Sequence, residues 1–261
     1  MAENTGVEGE EVARQASRGV RVGVMVRHPA PLPHDEIQQL FPDVYAVRGT
    51  FRMNAFVSFS RTMTVLREGS ALTLVNSIRL SPEGEKKLLE LGEIKHLVKL
   101  GGYHGIDDPY YRERFAARYW SPQPADSRTE KLVDGKRGPI EGTSAFVFER
   151  SPAESALLLE QGGGNLLITC DSVQNWTDTR LCSLAGALVV RGMGFVTPAK
   201  LGPIWLKRAT GGDPSLMWPD FERMLALDFQ HLISGHGEVM RGEARSTVAR
   251  SCEKTLGPRR G

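Results

Sequence analysis

Within Lys95-His96-Leu97-Val98-Lys99-Leu100-Gly101-Gly102-Tyr103-His104-Gly105-Ile106-Asp107-Asp108, a strand, a glycine loop bearing a histidine, and a helix start follow one another. Ile94 to Leu100 reads as a buried strand whose end delivers Gly101 to His104 into a loop. Asp108-Pro109 then starts a helix running to about Arg118, proline being well placed in a first helical turn.

On the upstream side, Ser81-Pro82-Glu83 predicts a helix from Lys86 to Leu91, capped by Ser81 and stopped at Gly92. Before it, the short β-type runs Val44–Val47, Ala55–Phe59, Met63–Leu66 and Leu72–Val75 are spaced closely enough for an antiparallel meander. On the downstream side, Ser144–Glu149, Ser155–Glu160, the turn Gly162-Gly163-Gly164-Asn165 and Leu166–Thr169 predict a hairpin-rich block. Asp171 and an irregular stretch follow, then a helix from about Phe221 to Leu227. A short strand at Leu232-Ile233 ends in Ser234-Gly235-His236-Gly237, and a last helix spans about Glu243 to Lys254. Residues 1–20, rich in Glu, Gly and small residues, read as a flexible tail, and residues 21–258 as one domain.

At 261 residues, with 40% hydrophobic and 25% charged content, the chain can bury a full core. Its net charge of +2 is spread along the sequence, which argues against a nucleic-acid partner. The pairs Lys207-Arg208 and Arg259-Arg260 read as solvated surface. Three cysteines, Cys170, Cys182 and Cys252, are too few and too far apart for a disulfide framework, and no stretch is apolar enough to span a bilayer. The expectation is a cytoplasmic protein with no membrane partner. Nucleophile-elbow, phosphate-loop and dinucleotide signatures are missing from the sequence.

Three polar groups stand at or just beyond strand ends: His104, Asp171 and His236. Imidazole nitrogen and carboxylate oxygen are good ligands for zinc, iron or manganese, and side chains on separate strand ends can close around one ion. The order of VYAVRGT with NAFV, LTLVNS, KHLVKLGGYHGIDD, NLLITCDSVQN and LISGHGE resembles the landmarks of the metallo-β-lactamase superfamily over roughly residues 40 to 250. That resemblance implies an α/β (α+β) fold, a four-layer αββα sandwich.

The family's metal motif reads His-x-His-x-Asp-His. Setting His104 on its first position puts Asp108 on its aspartate, and leaves Ile106 and Pro109 where two histidines are expected. By the same resemblance Asp171 matches the metal-bridging aspartate, preceded by Cys170 instead of glycine, and His236 matches the last histidine ligand. The remaining histidine is expected between Gly138 and Thr143, which contains none; Glu141 there is a substitute oxygen ligand or a solvated carboxylate. Asn76-Ser77 replaces an Asp-Thr-Gly turn. The implied metal set is His104, Asp108, Asp171 and His236, enough for one divalent transition metal (zinc, iron or manganese) or none, with Asp171 and Asp108 as the catalytic carboxylates.

Each residue also has a structural reading. His104 could bond Asp107 or Asp108 at the helix entry, Asp108 could cap that helix, and Asp171 could bond turn amides or Asn175. His236 could fill a tight turn between glycines that supply φ > 0. Asp228 and His231 are either supports for a ligand histidine or, respectively, a helix end and a core-edge residue. Cys170 reads as a small buried apolar group more readily than as a nucleophile. Tyr103, Tyr110, Tyr111, Phe115, Tyr119 and Trp120 read as a helix face packed on the sheet, or as the lining of a pocket. Two functions remain open. One is a mononuclear metal-dependent hydrolase of esters, thioesters or amides. The other is a catalytically inactive scaffold that binds or supports.

Overall fold

The computed structural model describes residues 28–151 and 153–259. The tail expected over residues 1–20 lies outside the described residues.

In chain order the elements are β1 (Gln38–Phe41), β2 (Val44–Arg52), β3 (Ser58–Glu68), β4 (Ala71–Val75), α1 (Pro82–Leu91), β5 (Glu93–Val98), α2 (Asp108–Phe115), β6 (Arg118–Ser121), β7 (Thr129–Lys131), β8 (Thr143–Val147) and β9 (Ser155–Leu159). There follow β10 (Leu166–Ile168), β11 (Val173–Gln174), α3 (Leu184–Gly192), β12 (Lys200–Leu201), α4 (Pro203–Thr210), α5 (Trp218–Leu225), β13 (His231–Ile233) and α6 (Ala244–Leu256).

Two sheets form the centre. The first runs β1 to β7 in sequence order, antiparallel as far as β4 and parallel from β4 to β7. The second has the order β13-β10-β9-β8, with β10 and β13 parallel and the rest antiparallel. Val44, Leu66, Val75, Val98, Leu157, Ile168 and Ile233 are buried together between the sheets. The other face of the first sheet (Val47, Val65, Leu74, Leu97) packs on Leu88 of α1 and Tyr111 of α2. The other face of the second (Phe146, Leu167, Leu232) packs on Trp205 of α4, Phe221 of α5 and Val248 of α6. Strand alternation sends successive side chains to opposite layers, so both sheets bury both faces and four layers result.

Local rules account for the helix starts. Ser81 caps α1 by accepting from Gly84 N at 3.1 Å, and Pro82 opens the helix. α2 stops three residues before the expected Arg118, because Ala116 turns left-handed at φ 48° and Arg118 enters β6 beside β5. The stretch expected to be irregular after Asp171 contains α3 and α4. Ser183 caps α3 by accepting from Gly186 N at 3.1 Å, a signal present in the sequence, whereas α4 starts at Gly202-Pro203 with no side-chain cap. The meander and the Gly162–Gly164 turn stand as expected, except that Phe59 and Met63 share one long strand, β3.

Candidate metal centre

Asp171 and His236 leave from adjacent parallel strands. The ladder of β10 and β13 continues past both ends, with Thr169 N donating to Ile233 O at 2.9 Å and Gly235 N to Thr169 O at 3.0 Å. Parallel neighbours end at the same edge, so the side chains that follow them emerge side by side. The opposite sheet holds the His236 turn in place: Thr62 N donates to Gly235 O at 2.8 Å and the Thr62 hydroxyl to Gly237 O at 3.1 Å. Gly237 has φ +89°, and a Cβ there would stand 1.9 Å from Asn175 O. Gly235 is needed for a different reason, since its Cβ would press on His104 Cε1 at 3.2 Å.

The loop after β5 brings His104 to the same point. His104 Nε2 lies 3.2 Å from His236 Nε2 and 3.8 Å from Asp171 Oδ1, while His236 Nε2 lies 3.3 Å from Asp171 Oδ1. The point equidistant from the corners of such a triangle is about 2.0 Å from each, matching zinc–nitrogen and zinc–carboxylate bonds of roughly 2.0–2.2 Å. The donor set therefore fits one ion. His236 Nδ1 is 2.8 Å from the Ser60 carbonyl, which only accepts; Nδ1 therefore carries the proton and Nε2 turns its lone pair to the site. Trp176 stacks on the same ring, centroids 5.2 Å apart and planes 13° apart.

Asp171 is 7% exposed, and Gln174 Nε2 donates to its Oδ1 at 3.1 Å. Burial pushes its carboxyl up, but the two imidazoles more than offset this and hold it well below the usual carboxylate range. Its Oδ2 is buried and without a hydrogen bond. Behind it lies Glu154, 1% exposed, whose Oε1 accepts from Ser172 N at 2.7 Å and whose Oε2 is also unpartnered. Burial, followed by the charge of Asp171, raises the Glu154 carboxyl well above its ordinary value. Donor atoms of Glu154, Cys170 and Asp171 all lie within 4.8 Å of one another. Burial and the neighbouring carboxylates push the Cys170 thiol up, which suits its reading as a small buried group and not a nucleophile.

Asp108 is not part of this centre. Ser77 donates to its Oδ1 at 2.5 Å and Tyr119 to its Oδ2 at 2.7 Å, so both oxygens are engaged in the interior, and burial raises its carboxyl. Nor does it cap α2: Asp107 occupies that position, makes no side-chain cap bond, and instead pairs with Arg61 and accepts from Arg79 N at 2.9 Å. The place that the resemblance gave Asp108 in the ligand set is thereby corrected: its carboxylate does not face the other three residues. A Cβ on Gly101, in the loop that carries His104, would meet Cys170 Sγ at 2.6 Å and Glu154 Oε2 at 2.7 Å, so the backbone there lies against Glu154.

Glu154 escaped the sequence reading, which looked for the remaining ligand between Gly138 and Thr143. The available signal was a lone acid directly before the apolar strand Ser155–Leu159. Glu141 is exposed, and outside both donor groups among the described residues. His231 accepts from Gly242 N at 3.1 Å and has Nε2 3.1 Å from Gly163 O, at the far end of β13, so it is structural; Asp228 bonds Gln230 at 2.7 Å. Of the aromatic group, Tyr111 and Tyr119 are core, whereas Tyr103 is half exposed and accepts from Arg208 Nη1 at 2.8 Å.

No protein-family model and no curated protein matches the chain by sequence. Among solved structures it is similar to VMB-1, at 14% identity and TM-score 0.54, over 85% of this chain and 96% of that one. It is also similar to the mono-zinc form of the metallo-β-lactamase FIM-1 from Pseudomonas aeruginosa, at 13% identity and TM-score 0.54, over 88% of this chain and 99% of that one. A flavo di-iron protein mutant from Thermotoga maritima aligns at 11% identity and TM-score 0.56, over 83% of this chain and 61% of that one. The chain has the metallo-β-lactamase fold, a four-layer αββα sandwich with a group of candidate metal ligands at one rim.

Proposed function

We propose that the protein is a mononuclear metal-dependent hydrolase of esters, thioesters or amides, holding one zinc, iron or manganese ion through His104, Asp171 and His236. The observation that carries this reading is the donor triangle, whose three edges suit a single ion. A divalent ion bound there would lower the pKa of a water molecule and polarise a carbonyl. Asp171 offsets one unit of that ion's charge and the two neutral imidazoles offset none, which preserves its Lewis acidity. Ser60 fixes the tautomer of His236, and Trp176 covers one face of the ring against water. Asp108 is assigned a supporting role and no catalytic one.

One contact favours a second reading. The 3.2 Å separation of His104 and His236 is also that of an N–H···N hydrogen bond, so the two imidazoles pair with each other while Gln174 donates to Asp171, as in an inactive scaffold. Metal analysis of protein purified without chelator decides between the two. The hydrolase reading expects about one transition metal per chain, lost in His236→Ala, and a thermal midpoint that rises when metal is restored. Metal-free protein whose midpoint does not respond to zinc, iron or manganese would establish the scaffold.

A further inference from the structure

More than half of the large hydrophobic side chains exposed among the described residues fall in two stretches, the β2–β3 loop and the region of α3. Phe56 is 82% exposed, Leu184 89% and Leu188 73%; Met53 is exposed beside them in the loop. The two stretches form one surface, because Ser183 N donates to Ser58 O at 3.1 Å and the Ser183 hydroxyl to Phe56 O at 2.9 Å. A Cβ on Gly186 would stand 2.0 Å from Ser58 O, so glycine lets the helix lie directly on the loop. At about 100° per residue, Leu184, Leu188 and Arg191 share an outward arc of roughly 60°. Val190 turns inward to join Trp176, the residue stacked on His236. The apolar surface therefore backs directly onto the wall of the metal centre.

Charge selects the occupant. From Leu181 to Gly202, which includes α3, the sequence has no Asp or Glu and carries the exposed Arg191; from Gly49 to Arg67 it again has no acid and carries the exposed Arg52. Asp178, just before α3, shares Arg48 with Glu238, and Arg180 stands near Glu238. A twofold contact between two copies would gather Arg52 and Arg191 of both at one seam to which these two stretches bring no acid. Exposed leucine and phenylalanine flanked by cations suit a different partner, one that is apolar inside and negative at its surface.

We propose that α3 and the β2–β3 loop form a peripheral docking face for an anionic phospholipid bilayer, which would bring the metal centre beside lipid-borne substrates. The expectation of no membrane partner came from the lack of an apolar span, and no helix among the described residues is long and apolar enough to cross a membrane. A peripheral contact needs no such helix.

The test is co-sedimentation of the full chain with vesicles of phosphatidylcholine mixed with phosphatidylserine, and with vesicles of phosphatidylcholine alone. Binding to the anionic vesicles is expected, and should be about tenfold weaker or more on neutral vesicles and at high salt. Leu184→Ser with Leu188→Ser, Phe56→Ser alone, and Arg191→Glu alone should each weaken it about tenfold. Because the changed side chains are exposed, circular dichroism should stay unchanged; should the double variant misfold, the two single variants still decide. His236→Ala should bind vesicles like the parent, so the docking face and the hydrolase reading fail separately. The proposal is overturned if anionic vesicles are not bound, if the variants bind them equally well, or if light scattering finds a dimer that Leu184→Ser with Leu188→Ser dissociates.

Discussion

The indole of Trp176 lies flat on the imidazole of His236, while the Trp176 Nε1 donates to Gln174 Oε1 at 2.8 Å. One side chain thus joins the candidate metal ligand to the cluster containing Val190 and Phe195. Trp176→Ala should cost about 3–5 kcal/mol of stability, the range for truncating a buried tryptophan. It should also weaken zinc binding by about tenfold or more, by freeing the ring that His236 presents. Urea unfolding and zinc titration measure the two effects, and Trp176→Phe, which keeps a stacking ring, should recover most of the affinity.

Asp108→Asn separates support from ligation. Both Asp108 oxygens accept from buried hydroxyls, and asparagine keeps one acceptor and turns the other into an NH2 donor, so one hydrogen bond is lost at a cost of about 1–3 kcal/mol. Metal stoichiometry should equal that of the parent. A variant that lost its metal while keeping its stability would restore Asp108 to the ligand set.

Glu154 makes the fold lose stability as pH rises above the ordinary carboxylate range. Its carboxyl is raised above the ordinary 4.5, so over that interval the native chain holds a proton that the unfolded chain has released. Stability from this group is therefore lost as pH climbs from the ordinary value toward the raised one, and changes no further above it. Glu154→Gln keeps an acceptor for Ser172 N and removes the titration. Unfolding free energies measured across that range should fall less steeply for the variant than for the parent.

Gly101→Ala is a test of close packing. The added methyl would meet the Cys170 sulfur and a Glu154 oxygen well inside contact distance, and both partners are buried. A loss of about 1–3 kcal/mol is expected from overpacking. Gly102→Ala is the control, since its nearest neighbour would be Ala153 Cβ at 3.5 Å, and it should be close to neutral.

Removing Arg61 should be more damaging than removing any exposed charge. Its guanidinium pairs with Asp107 where both are almost wholly buried, so Arg61→Ala strands a carboxylate at a cost of about 3–5 kcal/mol. In contrast, Lys87→Ala breaks an exposed pair with Glu36 and should shift the denaturation midpoint very little.

The layered fold was legible because its strands announce themselves by β-branched and apolar runs, as in Leu72–Val75, and its first helix by Ser81-Pro82. His104, Asp171 and His236 were legible for a related reason: each follows such a run within four residues, Asp171 and His236 after neighbouring strands and His104 after β5 of the facing sheet. Asp108 misled because the spacing of a motif does not reveal which way a side chain turns; Ser77 and Tyr119, distant in sequence, claim it for the interior. Glu154 went unseen because a single acid before a strand resembles any solvated loop residue until its burial is known. α3 was missed because its apolar residues are largely exposed, so the chain there lacks the one-sided pattern that marks a packed helix.

The joined ends of β10 and β13 have a mechanical consequence. Asp171 and His236 inherit their spacing from a backbone ladder as stiff as the sheet itself, whereas His104 rides on a loop that two glycines introduce. Loosening the protein without unfolding it should therefore swing one imidazole away and leave a carboxylate and an imidazole standing as a two-toothed chelate. An ion held by the proposed centre would then be gripped by two donors alone, and released faster.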